Sequence, residues 1–298
     1  MKLQSHRNEM RRILSLSLAI SICCVDQCFA RNCIKVPEPA TLTGLHELIR
    51  NSSGWAPICP FIITGTVGCD TQEPYRLSAT DFFQQVICMN NQGESHGCKI
   101  DCPGTHFEVG SGKIMFLNGF EMCGATEGSV KVLQGATLIS KYNRYMKNEN
   151  FDAADGDRSG AAIHSYPGSR LQLQFDDYRY NFAEDSGGAI HIESLATVAA
   201  CSFVGNSAND GGGIYIAKGS QRINVVQNVF ASNSARRQGA SICVENSNIS
   251  YAGANNSGCD NDDPDECKGT IIMRGNTQTC QVFNRECDSP TAYPTAGE

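Results

Sequence analysis

The sequence is poor in charged residues and has no cluster of basic ones. Asp, Glu, Lys and Arg make up 18% of the 298 residues, and the net charge is −7. Nucleic-acid binding depends on clustered Lys and Arg side chains that neutralise phosphates, so nucleic acid is not an expected partner. Hydrophobic residues make up 41% of the chain, which argues against wholesale disorder and predicts a globular protein.

Long apolar runs are also scarce. Residues 13–25 form an apolar stretch that follows basic residues and ends at Asp26. A transmembrane helix needs about 20 apolar residues. The short stretch and the Cys-Phe-Ala that follows at 28–30 instead predict a signal peptide over residues 1–30. No later segment has the sequence of a membrane span, so we expect a secreted protein that is extracellular or at the cell surface.

The cysteines lack the paired Cys-x-x-Cys units and histidine partners typical of zinc sites. The chain has 16 cysteines, and in an oxidising compartment most should form disulfides. Three fall within the predicted signal peptide, so an odd number is left and at least one cannot pair within the chain; the connectivity stays open. Three sequons, at Asn51, Asn248 and Asn255, are predicted glycosylation sites if the host is eukaryotic.

One unit recurs through the middle of the chain. An aromatic residue is followed three positions later by asparagine, and the unit steps by 33, 25 and 27 residues. The four pairs are Tyr145 and Asn148, Tyr178 and Asn181, Phe203 and Asn206, and Phe230 and Asn233. A strand that starts with glycine and small residues follows each pair, with its isoleucine at Ile163, Ile190, Ile214 and Ile242. Alternating apolar residues precede each aromatic and predict a further strand.

A period of this size predicts a solenoid, because one unit cannot bury a core alone but stacked units share one. We therefore predict an all-β, single-domain, right-handed parallel β-helix over residues 31–288. Residues 31–60 form its N-terminal cap, residues 259–288 its disulfide-rich C-terminal cap, and residues 289–298 a flexible tail. The aromatic residues should stack inside, and the asparagines should form a hydrogen-bonded ladder at a turn. Phe120, 25 residues before Tyr145, is the expected aromatic of the preceding coil.

Aromatic-x-x-Asn followed by Gly-Gly-Ala-Ile resembles the repeats of right-handed β-helix proteins in the pectin-lyase-like superfamily. The repeats are most similar to those of polymorphic outer-membrane proteins and of secreted algal β-helix proteins. The segment Cys-Lys-Ile-Asp-Cys-Pro-Gly-Thr-His-Phe at 98–107 adds to the algal likeness. The resemblance spans roughly residues 55–275. It implies the fold but leaves the function open, because this fold hosts lyases, hydrolases, epimerases and adhesins.

A column of side chains is predicted beside the repeated isoleucines. By strand alternation, these residues point outward on an exposed sheet face: Lys131, His164, His191, Tyr215 and Cys243. The first four are candidates for a ligand-binding or metal-binding strip. The alternative is a solvated face, since a metal would need a third ligand in reach.

Acidic residues give the candidates for catalysis and for calcium binding. Polygalacturonase-like glycosidases of this fold use clustered aspartates, and its lyases combine calcium-binding carboxylates with a basic residue. The matching candidates are Asp152, Asp155, Asp157, Arg158, Asp176 and Asp177. The Gly-His-Gly and Arg-x-Lys segments of the glycosidases do not occur, which weakens this interpretation. An acidic loop between two cysteines is either a Ca²⁺ site or a solvated charge run: Asp260, Asp262, Asp263, Asp265 and Glu266.

The functional expectation is a secreted surface or extracellular matrix protein that binds glycans or proteins without catalysis. Its expected partner is a polysaccharide or an extracellular protein. It requires no cofactor, although Ca²⁺ fits the acidic loop. The alternative is a polysaccharide lyase or glycoside hydrolase that acts on acidic polysaccharides. Recognised catalytic motifs are missing, which favours the binding protein.

Overall fold

A computed structural model describes two long segments of the protein, residues 98–151 and 156–245. It also describes shorter pieces at 34–35, 44, 61–63, 65–69, 75–76, 83–88, 250–254, 256–259, 261, 270–273 and 281–282. The predicted signal peptide and C-terminal tail lie outside the described residues. The predicted caps at 31–60 and 259–288 are described only in short pieces, so both stay predictions.

The strands stack into four sheets, numbered I to IV in the order in which one coil of the chain passes through them. Sheet I contains Ile34–Lys35, Phe61–Ile63, Phe83–Cys88, Ile114–Asn118, Thr137–Lys141, Arg170–Gln174, Leu195–Ala199, Arg222–Val226 and Ser250–Ala254. Sheet II contains Thr66–Val67, Cys98–Asp101, Phe120–Cys123, Arg144–Met146, Asp177–Arg179, Ser202–Val204, Val229–Ala231 and Ser257–Cys259. Sheet III contains Glu149–Asn150, Phe182–Ala183, Ser207–Asp210 and Ser234–Gln238. Sheet IV contains Tyr75–Arg76, Phe107–Val109, Val130–Val132, Ile163–Ser165, Ile190–Ile192, Ile214–Ile216, Ile242–Val244, Thr270–Met273 and Gln281–Val282.

The strands pair in parallel from coil to coil, which confirms the parallel β-helix. Among the described strands the exception is the last pair of sheet IV, where Thr270–Met273 and Gln281–Val282 are antiparallel. The predicted register is confirmed in sheet II, where Tyr178 lies opposite both Tyr145 and Phe203. It is also confirmed in sheet IV, where the four repeated isoleucines lie opposite one another.

The aromatic residues of the repeat form a stack inside the helix, as predicted. Tyr145, Tyr178, Phe203 and Phe230 are fully buried, and their ring centroids are 5.0, 4.8 and 4.8 Å apart along the stack. The rings are nearly parallel because parallel strands set equivalent residues one strand spacing apart, about 4.8 Å. Burial and offset ring contact both stabilise this arrangement.

The asparagine ladder is confirmed at the corner between sheets II and III. From Asn181 onward, each Oδ1 accepts hydrogen bonds from the main-chain amide and the Nδ2 of the asparagine in the preceding coil, at 2.9–3.1 Å. Each Nδ2 also donates to a main-chain carbonyl. The ladder runs through Asn148, Asn181, Asn206, Asn233 and Asn261. It satisfies buried main-chain groups that the sharp corner leaves without a strand partner.

A second ladder, which the sequence did not reveal, lies at the corner between sheets I and II. Its positions are Asn143, Asp176, Cys201, Asn228 and Asn256. The asparagines bond in the same way as in the first ladder; for example, Asn228 Nδ2 donates to the Val198 carbonyl at 3.0 Å. The repeat motif is therefore Asn-x-aromatic-x-x-Asn, with Asp176 and Cys201 as departures from it.

In both ladders, the residue directly before each ladder position from Asn143 to Asn233 has positive φ. Each turn at these two corners therefore consists of one residue in the left-handed conformation followed by one ladder residue. The I–II corner has Gly119, Tyr142, Phe175, Ala200 and Gln227 at the left-handed position, and the II–III corner has Gly124, Lys147, Tyr180, Gly205 and Ser232. Every non-glycine residue with positive φ among the described residues belongs to these two columns. Glycine adopts this conformation without strain, whereas for other residues it costs about 1 kcal/mol or more.

The register of the coil before Tyr145 differs from the prediction. Met122 lies opposite Tyr145, so this coil is 23 residues long rather than 25. Phe120 lies instead at the start of its strand, where its amide donates to Asn143 Oδ1 at 2.9 Å. Ala125 stands where the ladder has asparagine, and its amide donates to Asn148 Oδ1.

The predicted disulfides are confirmed for part of the chain. Two disulfides join described residues, Cys69 to Cys102 and Cys88 to Cys98. Three other cysteines of the described segments are buried and lie outside these disulfides: Cys123, Cys201 and Cys243. Burial raises the pKa of Cys201 well above its ordinary value and that of Cys123 to about 11. These two thiols are therefore protonated and poorly reactive at neutral pH.

Candidate functional site

Three large aromatic side chains are exposed along the corners that border sheet II. Tyr142 and Phe175 lie at the I–II corner with φ of 55° and 58°. They are 49% and 52% exposed, and their rings stack with centroids 5.1 Å apart. In the coils on either side, the same position holds Gly119 and Ala200, which have little or no side chain. Both outer faces of the stacked pair are therefore left uncovered by the neighbouring coils at this corner.

Tyr180 lies at the II–III corner, also with positive φ, and is 57% exposed. Its ring covers Gly205 of the next coil, since a Cβ atom at Gly205 would lie 2.6 Å from the ring. The ring therefore packs over the main chain at Gly205 while more than half of the side chain stays exposed. A bulky residue in this conformation is an outlier, and such strain tends to persist where function requires it.

Ion pairs lie on sheet II between the two aromatic corners. Arg179 Nε is 2.7 Å from Asp177 Oδ2, and Arg144 lies 3.5 Å from the same oxygen and 3.3 Å from Glu121. The positive and negative charges balance. We call the surface formed by Tyr142, Phe175, Tyr180, Arg144, Asp177 and Arg179 the aromatic face.

The column predicted on sheet IV has the predicted register but is not exposed. Lys131 lies opposite His164, His164 opposite His191, His191 opposite Tyr215, and Tyr215 opposite Cys243. All five residues are buried, so the prediction of an exposed face is wrong. Neighbouring groups cover the histidines: Tyr166 stacks on His164 at 4.3 Å, and Asp157 and Glu193 approach its Nε2.

The two histidines of this column lie close to two carboxylates. Glu193 Oε1 lies 3.3 Å from His164 Nε2 and 3.4 Å from His191 Nε2. Asp157 Oδ2 lies 3.6 Å from His164 Nε2. Ligand atoms of His164, His191 and Glu193 all lie within 4.8 Å of one another, which makes them a candidate metal-ligand group. We call His164, His191, Glu193 and Asp157 the His–carboxylate cluster.

The electrostatics of the cluster follow from its geometry. Hydrogen bonds from the two histidines lower the pKa of Glu193 to about 2, so its carboxylate is charged. Burial lowers the pKa of His191, which favours the neutral imidazole. Ser186 Oγ lies 2.8 Å from His191 Nδ1 and fixes the ring orientation. Neutral imidazole beside ionised carboxylate is the protonation state that metal ligands need.

The acidic candidates do not assemble into a catalytic pair among the described residues. Asp176 is buried in the second ladder, where its Oδ1 accepts from the Asn143 amide at 2.8 Å and its Oδ2 from the Tyr178 hydroxyl. Asp177 pairs with both arginines of the aromatic face. Arg158 pairs with Glu184 at 2.6 Å and with Asp185 at 3.4 Å. Asp157 belongs to the His–carboxylate cluster.

The remaining predicted sites lie outside the described residues. These are Asp152 and Asp155, the acidic loop Asp260, Asp262, Asp263, Asp265 and Glu266, and the sequons Asn51, Asn248 and Asn255. All of them stay predictions. In the described part of the chain, no helix has the length and hydropathy of a membrane span.

Residues 200–217 match the Chlamydia polymorphic membrane protein repeat. This segment contains Phe203 of the aromatic stack, Asn206 of the first ladder, and the glycines that precede Ile214. No curated protein and no solved structure matches the chain. Fold and match together define a parallel β-helix with a repeat similar to that of the Chlamydia proteins. The match covers less than one coil, so it describes the repeat and not the protein.

Proposed function

We propose that the protein is a secreted or cell-surface β-helix that binds a neutral polysaccharide through its aromatic face and does not cleave it. The observation that carries the proposal is the exposure of three aromatic rings at positions with positive φ, where the coil before Tyr142 and the coil after Tyr180 have glycine. Flat apolar rings next to charged donors and acceptors fit the apolar faces and hydroxyl edges of sugar rings. The repeat match to membrane proteins supports a place at the cell surface.

The charges support a neutral ligand rather than an acidic one. The arginines of the aromatic face are already paired with Asp177 and Glu121, and the chain as a whole carries a net charge of −7. A strongly anionic polysaccharide would have to compete with these carboxylates and would be repelled at long range. Sugar hydroxyls can instead hydrogen-bond to these charged side chains without carrying a charge that competes with the ion pairs.

A polysaccharide panel tests this function against the enzymatic alternative. Purified protein is run through gels that contain neutral or uronic-acid polysaccharides, with and without Ca²⁺, and its retardation is measured. Reducing ends and unsaturated products are measured in parallel incubations. We expect retardation by at least one neutral polysaccharide and no product. Product release that Asp177→Asn abolishes would establish a lyase or hydrolase instead, and a lack of retardation in every gel would contradict polysaccharide binding.

A further inference from the structure

We propose that the His–carboxylate cluster is a binding site for Zn²⁺, with His164, His191 and Glu193 as the protein ligands and a water molecule as the fourth. The site is separate from the aromatic face: it lies on sheet IV, and its ligands come from two successive coils. His164 belongs to one coil, His191 and Glu193 to the next. One bound ion therefore joins the two coils.

The distances between the ligand atoms are long for hydrogen bonds and match the distances between ligands of a shared ion. Charge-assisted N–H···O bonds are about 2.7–2.9 Å long, and the contacts of Glu193 Oε1 with the two imidazoles are 3.3 and 3.4 Å. Four ligands at about 2.0–2.1 Å from a tetrahedral Zn²⁺ lie about 3.4 Å from one another. The ligand atoms of His164, His191 and Glu193 all lie within 4.8 Å of one another. Asp157 is not part of this group; its Oδ2 lies 3.6 Å from His164 Nε2.

The types of ligand atom favour Zn²⁺ over Ca²⁺ and Mg²⁺. Ca²⁺ and Mg²⁺ are bound by oxygen ligands, whereas imidazole nitrogen suits Zn²⁺ and its transition-metal neighbours. Two imidazoles and one carboxylate are a ligand set that zinc sites use together with a water molecule in the fourth position. The negative charges of Glu193 and of the nearby Asp157 balance the charge of the ion.

The surroundings hold the ligands in place and leave a route for the ion. Tyr166 stacks on the His164 ring with an interplanar angle of 0°, and Ser186 bonds to the remaining nitrogen of His191. Such outer contacts orient imidazole ligands and strengthen metal binding. The imidazoles are buried, while the side chains of Glu193 and Asp157 are 26% and 35% exposed. The carboxylates therefore face solvent and form the entrance.

Zinc titration of the full-length protein tests the proposal. The protein is treated with a chelator, dialysed and titrated with Zn²⁺ in competition with a fluorescent chelator. Two ligand variants, Glu193→Gln and His191→Gln, are compared with two controls, Glu184→Gln and Asp185→Asn, which replace surface carboxylates that pair with Arg158. We expect sub-micromolar binding of one ion that both controls keep and that Glu193→Gln weakens by about 100-fold or more.

Two further measurements distinguish loss of the zinc site from misfolding and from Zn²⁺ binding by thiols elsewhere in the chain. Zn²⁺ should raise the melting temperature of the parent and of the controls, but not that of Glu193→Gln. Co²⁺ in the site should give the intense visible bands of a tetrahedral complex without a thiolate charge-transfer band. His191→Gln keeps a side chain that can hydrogen-bond to Ser186, and it carries the test if Glu193→Gln does not fold. Equal Zn²⁺ affinity and stoichiometry in the parent and the folded ligand variant would overturn the proposal.

Discussion

Replacing Asp176 with asparagine should stabilise the protein, and the gain should depend on pH. Asp176 occupies a position that asparagine fills in three other coils of the second ladder. Burial raises the pKa of its carboxyl from 3.8 to about 7, although hydrogen bonds from Asn143 and other neighbours oppose the shift. The folded protein therefore holds this group protonated at a pH where the unfolded chain has already released the proton.

The sign and the size of the effect follow from this pKa. Because the folded-state pKa lies above the unfolded value, the stability that the proton confers is complete below about pH 4 and is lost as the pH rises to about 7. One pKa unit corresponds to about 1.4 kcal/mol, so the full loss is of the order of 4 kcal/mol. The amide that Asp176→Asn introduces is uncharged at every pH, and its Nδ2 could donate within the ladder as the Nδ2 of Asn228 does.

Thermal unfolding at pH 5 and pH 8 measures the difference. We expect Asp176→Asn to melt roughly 5–15 °C above the parent at pH 8 and to gain much less at pH 5. The neighbouring Asp177→Asn serves as the control; it removes a surface ion-pair partner and should bring no gain at pH 8. An Asp176→Asn variant that melts with or below the parent at pH 8 would refute the account of a buried carboxylic acid in an asparagine ladder.

Three further predictions test the corners and the cysteines by thermal melts and thiol counting. Asn206→Ala removes four side-chain hydrogen bonds and should cost about 3–5 kcal/mol; a loss under about 1 kcal/mol would speak against the ladder. Gly187→Ala should destabilise far more than Gly112→Ala, because both have positive φ but only the first Cβ would clash with a carbonyl oxygen; equal losses would contradict this. Cys123 and Cys201 should react with a thiol reagent only after denaturation, and rapid reaction of the native protein would show that they are accessible.

The scaffold was readable in the sequence because its residues repeat. An aromatic and an asparagine recur three positions apart, and parallel stacking forces such positions into register. The second ladder was not predicted from the sequence because Asp176 and Cys201 interrupt its series of asparagines. The predicted register of the coil before Tyr145 is wrong by two residues. Met122 occupies the position of the stacked aromatic residue, and Phe120, two residues earlier, has the residue type expected there.

The candidate sites were less predictable because they depend on contacts outside the repeat. Strand alternation placed His164 and His191 side by side, but it could not show that Asp157 and Glu193 cover them. The pattern His191-x-Glu193 is a signal that could have suggested a third ligand. Positive φ at Tyr180 could not be predicted from its residue type, because tyrosine favours other backbone conformations. Gly124 and Gly205, which hold the same corner position in other coils, were the signal in the sequence.

The central claim, that the aromatic face binds a polysaccharide, is tested most directly by replacing its three aromatic residues with glycine. A triple variant with Tyr142→Gly, Phe175→Gly and Tyr180→Gly should fold and melt close to the parent, because glycine suits positive φ. Phe151→Ala, which removes an exposed aromatic outside the face, is the control. We predict that the triple variant loses about tenfold or more in affinity for the retarding polysaccharide while the control does not. Equal affinity of the parent and a folded triple variant would contradict the claim.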